Sequence, residues 1–195
     1  MDTQQLNGFK TMNLYRNTFA SPTEEAIGTD FIGRKSVLKK MHEYIINADK
    51  ISNYHIVGLP RIGKSSLLKA FKTMIQENHY SHDLVVLYIS LDECDNSNDM
   101  WRIIGKGIRK ELKKQFHSSD KYTNFIDELD FEDVDENNID YEYLCSVARC
   151  MKASGFLGLI LIDEFDNFST IATKGTVGQV RTLFSGSEYG LRAVV

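Results

Sequence analysis

At 195 residues and a formal charge of −4, the chain has room for one real core, and a single domain is the expectation. Hydrophobic residues make up 42 % and charged ones 26 %, an ordinary globular balance. No run of roughly 18 apolar residues is present, which excludes a membrane-spanning helix. The polar start MDTQQLNGFKTMN lacks the apolar core of a secretory signal. Cys94, Cys145 and Cys150 have no metal-ligand spacing and read as reduced, mostly packed thiols, so a cytoplasmic location is expected.

Residues 1–30 show no stable periodicity, and 1–28 are read as an arm laid on the domain, which then occupies residues 29–195. Phe31-Ile32-Gly33-Arg34 precedes the first helix. There Gly33 would let the backbone approach an adenine or ribose, and Arg34 has two roles open to it, touching phosphate or capping and solvating the helix start. From Ser36, the positions Val37, Leu38, Met41, Tyr44 and Ile45 recur at helical spacing, predicting a helix that ends near Ala48. Tyr54–Gly58 is a short β-prone run, and a helix striped by Leu67, Leu68, Phe71, Met74 and Ile75 follows the glycine turn after it. His55, in that strand, reads as a core or half-buried histidine.

Leu84–Ser90 predicts a second strand, and Met100–Phe116 a helix that buries Trp101, Ile103, Ile104, Ile108 and Leu112. The Trp101 stripe is read as helix packing and not as a base-stacking platform, since no alternation of basic and aromatic residues surrounds it. Between Asp127 and Glu142 stand nine acidic residues and no Lys or Arg, leaving 23 basic against 18 acidic elsewhere. This acidic insert, about 119–140, suits a surface loop or a short capping helix, because Phe125, Ile126, Leu129 and Phe131 interrupt it. Tyr141–Ser154 and Thr176–Phe184 read as helices, Phe156–Asp163 as a central buried strand, and Leu191–Val195 as a further strand beginning. Strands alternating with helices predict an α/β fold, three-layer α/β/α with a mainly parallel sheet. A domain that stops in an incipient strand is awkward, so the sequence is expected to be a fragment of a longer protein.

Gly58-Leu59-Pro60-Arg61-Ile62-Gly63-Lys64-Ser65 matches the phosphate-binding pattern G-x-x-x-x-G-K-[ST], with a strand before it and a helix after it. Gly58 and Gly63 suit sharp turns close to a ligand, and the inward N–H groups of the loop and helix start suit phosphate oxygens. Lys64 is assigned to the β- and γ-phosphates, Ser65 to Mg²⁺ and Ser66 to the neighbouring α-phosphate. Pro60, Arg61 and Ile62 belong to the binding loop, with the Arg61 side chain expected to face solvent or a partner. At the C-terminal end of the strand Leu159-Ile160-Leu161-Ile162, Asp163 is assigned to the Mg²⁺ shell, and Glu164 is the candidate base that activates water. Asp166 reads as an N-cap for the following segment, with a site role as the alternative.

FIGR, GLPRIGKSS and LILIDEFD together resemble the AAA-like ATPases of the STAND class, and also the related archaeal and origin-recognition-type ATPases, over roughly Thr29 to Val195. The resemblance implies that Ile32 and Gly33 contact nucleotide, and it carries Walker A and Walker B roles onto Gly58–Ser66 and Asp163–Glu164. It further implies ATP and ADP with Mg²⁺, and a nucleotide-gated signalling or antiviral-defence switch that oligomerises as hydrolysis times it. Self-association through the ATPase domain, C-terminal sensor or effector domains beyond this sequence, and no membrane partner belong to the same expectation. The alternative is a DNA-handling AAA-like ATPase, an initiator, loader or transposition helper with DNA as partner. A small-molecule kinase is disfavoured, since an Asp-Glu pair suits water activation.

Overall fold

The computed structural model describes residues 34–46, 53–59, 61–77, 83–116 and 134–195. Among the described residues the α-helices and strands are, in chain order, α1 (Lys35–Ile45), α2 (Lys64–Glu77), β1 (Leu84–Ser90), α3 (Ser97–Phe116), α4 (Tyr141–Ala153), β2 (Leu157–Asp163), α5 (Phe168–Ile171), α6 (Lys174–Ser185) and β3 (Leu191–Val194). The expected arm at 1–28, the segment holding Ile32 and Gly33, Pro60, and most of the acidic insert lie outside the described residues.

β2 is the middle strand of a parallel sheet ordered β1-β2-β3. It pairs with β1 from Leu84↔Leu157 to Ser90↔Asp163, and with β3 from Gly158↔Leu191 to Leu161↔Val194. Tyr54 forms a parallel bridge to Val194, and Ile56 N–H donates to Val195 O at 2.6 Å. The predicted first strand is therefore present as a short pairing on the far side of β3. The Asn53 side chain secures its entry, accepting from Ala193 N–H at 2.9 Å and donating to Phe184 O at 3.0 Å.

Strand residues alternate between faces, so each strand feeds two cores. Val85, Leu87, Ile89, Ile160, Ile162, Leu191 and Ala193 pack with residues of α3, α4 and α6, whereas Leu84, Val86, Leu159, Leu161 and Val194 pack with α1 and α2. This is the three-layer α/β/α arrangement. An apolar run such as β2 is what burial on both faces demands, and from Gly158 to Asp163 every residue of it is buried.

The predicted helices are present, with shifted ends. α3 starts at Ser97 and not Met100, because Asn96 caps it, its Oδ1 accepting from the N–H of Asn98 at 2.9 Å and of Asp99 at 3.1 Å. α1 stops at Ile45, short of Ala48. Asp140 caps α4 through Tyr143 N–H at 2.8 Å, and Thr173 starts α6 with a reciprocal capping box with Thr176. Trp101 is buried and tilts against Tyr141 with ring centroids 5.3 Å apart, a packing role as read. Cys94 and Cys145 are buried and Cys150 half-buried, and none of the three is in a disulfide. The trailing end of the acidic insert is docked and not loose: Arg109 donates to Val134 O at 3.1 Å, Lys106 pairs with Glu136, and Ile139 is buried.

Replacing Ile160, fully buried at the centre of β2, with alanine is expected to cost about 2–5 kcal/mol in urea unfolding. Leu157→Ala, at the exposed start of the same strand, is expected to cost less than about 1 kcal/mol.

Candidate functional site

The segment from Tyr54 leads out of the sheet into the glycine loop, and the loop into α2. Two residues there take the left-handed backbone region, Arg61 at φ 61° and Gly63 at φ 86°. Glycine adopts this conformation freely, and Arg61 does so at a cost, with its side chain exposed as expected. Ile62 N–H closes a turn onto Leu59 O at 3.4 Å, and Leu67 N–H makes the first bond of α2 to Gly63 O at 3.1 Å. The amides that open α2 have no carbonyl partner within the helix and point out of its positive end, a setting for an anion. Lys64 Nζ donates to Gly58 O at 3.2 Å and so lies across the loop. Ser65 is half-buried and Ser66 buried in the first turn, while Ile62 is exposed.

Arg34 stands at the N-cap of α1, its carbonyl accepting from the N–H groups of Val37 and Leu38 at 3.0 Å each. Its guanidinium donates to the loop carbonyls of Ile62 and, at 3.4 Å, Gly63, and it makes no side-chain cap to α1. It braces the loop from the α1 side.

Opposite the loop, β2 delivers Asp163 with only 5 % of its surface exposed. Both of its oxygens are held: Oδ1 accepts Glu164 N–H at 3.0 Å and Oδ2 accepts the Tyr88 hydroxyl at 2.6 Å. Glu164 sits in the left-handed region at φ 51°, ψ 40°, which turns its exposed side chain out at the strand end. Desolvation, then the neighbouring charges of Asp163 and Asp92, push the Glu164 carboxyl above the usual range, with Lys64 opposing them.

A cleft of ≈ 190 Å³ brings these parts together, lined among others by His55, Gly58, Lys64, Asp163, Glu164 and Asp166. Gly58 and Lys64 thus face Asp163 and Glu164 across one space. Two expectations need correction. His55 is exposed and lines the cleft, because Ile56 takes the inward position of the strand entry. Asp166 makes no side-chain cap to the short helix after it. It lines the cleft instead. Tyr88 and Asp92 escaped the sequence reading. Tyr88 announces itself only once strand register is known, and Asp92 only through the 3₁₀ turn Leu91–Glu93, where it accepts from the Asn167 side chain.

The residues present fit a magnesium nucleotide. Among the described residues, no group of three or more His, Cys, Asp or Glu side chains is placed to hold an ion by itself. Mg²⁺ bound to a nucleotide needs no such cage, since one or two hard oxygen ligands complement phosphates and waters. The Ser65 hydroxyl and Asp163 carboxylate are of that kind, and the acidic excess around Lys64 leaves room for a cation.

Neither a protein-family model nor a curated protein matches the sequence. Among solved structures, the chain is similar to the Aeropyrum pernix ORC2 protein, solved in ADPNP and ADP complexes, at 14 % identity and a TM-score of 0.52, over 92 % of this chain and 44 % of that one. A Walker-type ATPase of Pyrococcus abyssi aligns at 14 % identity and a TM-score of 0.47, over 87 % of this chain and 46 % of that one. The chain spans less than half the length of either. At 14 % identity the likeness to the ORC2 protein is one of fold: an α/β domain with a parallel sheet and a strand–loop–helix at Gly58–Ser66.

Glu164 carries backbone strain that glycine relieves and alanine does not. Glu164→Gly is therefore expected to be more stable than Glu164→Ala by about 1 kcal/mol in thermal or urea unfolding, although both lose the carboxylate.

Proposed function

We propose that this chain binds ATP and ADP with Mg²⁺ and hydrolyses ATP. The observation that carries the reading is the cleft in which Lys64, from the glycine loop, meets the pair Asp163–Glu164 from the end of β2. The loop and helix amides with Lys64 hold the β- and γ-phosphates, and Ser65 and Asp163 hold the metal. Bound Mg²⁺ supplies positive charge against the phosphates. Glu164, ionised, takes the proton of a water as its oxygen bonds to the γ-phosphorus. The bond from that phosphorus to the bridging oxygen breaks, and ADP and phosphate result. A carboxyl raised above the ordinary range is a stronger base once ionised, which suits that task. Ile32, Gly33, Pro60, Arg61, Ile62 and Ser66 complete the proposed nucleotide contacts.

At the level of purpose, we propose a cytoplasmic nucleotide-gated switch of the STAND kind, in which ADP marks rest and ATP permits self-association for signalling or antiviral defence. The motifs FIGR, GLPRIGKSS and LILIDEFD support it together. A second reading, a DNA-handling ATPase, draws on the likeness of fold to the ORC2 protein.

Lys64→Ala is expected to weaken ATP binding about 10- to 100-fold in calorimetric titration, the scale of a charge-assisted contact. Unchanged affinity would sink the nucleotide reading. Glu164→Gln is expected to retain ATP yet turn it over at least about a hundredfold more slowly. In the wild type, kcat/KM should fall as pH drops through the raised Glu164 pKa, because only the ionised carboxylate accepts a proton; full turnover in Glu164→Gln places the base elsewhere. Steady-state hydrolysis with and without double-stranded DNA separates the two purposes. Strong stimulation selects the DNA-handling ATPase, and slow, DNA-indifferent turnover selects the switch.

A further inference from the structure

Tyr88 belongs to neither the glycine loop nor the acidic pair, yet its hydroxyl donates to Asp163 Oδ2 at 2.6 Å. We propose that Tyr88 is a positioning residue for the divalent cation, setting the Asp163 carboxylate in the orientation that receives Mg²⁺; this rests on the nucleotide reading above.

Strand register makes the contact possible. Tyr88 pairs with Leu161, and Ser90 with Asp163, so Tyr88 is set back from Asp163 by two residues on the neighbouring strand. Two residues is one full period, which puts both side chains on the same sheet face, the one covered by α1 and α2. Such diagonal neighbours lie about 7–8 Å apart at the backbone, within reach of an aromatic side chain and out of reach of a serine or threonine. The long phenol is the side chain that spans this offset with a hydroxyl at its tip.

The second carboxylate oxygen is occupied as well, by Glu164 N–H at 3.0 Å. With one donor on each oxygen, the carboxylate plane cannot rotate freely. Each oxygen still has a further lone pair for another partner, since an ionised carboxylate offers about four acceptor sites. Tyr88 is itself fixed from above: Lys69 Nζ lies 5.2 Å from its ring centroid. Lys69 stands one helical turn beyond Ser65 on α2, on the same helix face. A single helix thereby presents the Ser65 hydroxyl near the loop and holds the residue that orients Asp163.

A tyrosine that only satisfied a buried carboxylate would affect stability alone. A tyrosine that orients a metal ligand affects cation affinity, where partners of ligating carboxylates typically contribute 10- to 100-fold. The test is Tyr88→Phe in the 195-residue chain. Mn²⁺ binding in the presence of ADP is followed by electron paramagnetic resonance, ADP affinity is measured separately in EDTA, and urea unfolding monitors the fold. The expected result is Mn²⁺ affinity lowered about tenfold, with ADP affinity in EDTA unchanged and a folded protein. The Mg²⁺ concentration for half-maximal ATP turnover should rise in parallel. Wild-type Mn²⁺ affinity in Tyr88→Phe, with the wild type itself binding Mn²⁺ and ADP, overturns the positioning role and leaves the nucleotide reading standing. Equal loss of ADP affinity with and without cation overturns it too, by making the effect one on the fold. Failure of the wild-type chain to bind ADP under either condition removes both proposals together.

Discussion

The architecture depends on the burial of β2 on both faces. A strand with helices on each side has no position for a charge along its length, and the residues from Leu159 to Ile162 obey that constraint. Asp163 follows at once and is still buried. An ionised carboxylate at that depth is tolerable only if its oxygens are satisfied, and Tyr88 and the Glu164 amide supply the two donors. Alternation along the strand then decides direction: Asp163 shares the face of Leu159 and Leu161, toward α2 and the loop. The acidic half of the site is in this sense a by-product of where an apolar run has to end.

The other half is built from backbone more than from side chains. Arg61 and Gly63 turn the chain the left-handed way, and a glycine is what makes the second of these turns inexpensive. Arg34 answers the loop carbonyls of Ile62 and Gly63, so the curled backbone has its acceptors satisfied on one side while the helix amides are presented on the other. Lys64, donating to Gly58 O, sits between these two sets of dipoles and opposes the acidic charges across the cleft.

Much of this was legible in the sequence because the relevant signals are local. Apolar runs and 3.6-residue stripes marked β1, β2 and every helix but the short α5, and the loop pattern marked Gly58–Ser66 in its strand–helix context. Helix starts were read less well, since at Asn96 the cap lies outside the apolar periodicity that identifies α3. What escaped altogether depends on pairing between distant segments. Nothing near Tyr88 in the chain reveals that Asp163 will lie within reach, and nothing near Asp92 reveals Asn167. His55 was misplaced for a related reason: which alternate residues of a short strand point inward is settled by its neighbour β3, not by its own sequence.

The position of β3 has a consequence for how the cleft comes into being. The strand entry at Tyr54–Ile56 pairs with residues 193–195, and β2 pairs with β3 on its other edge, so residues 191–195 form the seam between the two halves of the cleft. The join of Tyr54 to Val194 closes a very long loop in sequence, the slow and entropically costly kind of contact, whereas β2 and β3 are joined by an ordinary helical crossover. A ligand gripping loop and carboxylate together bridges that seam, and every increment of its affinity for the closed arrangement opposes fraying of β3 by the same free energy. A ligand in the cleft would thus be coupled, by linkage, to the docking of this one short strand.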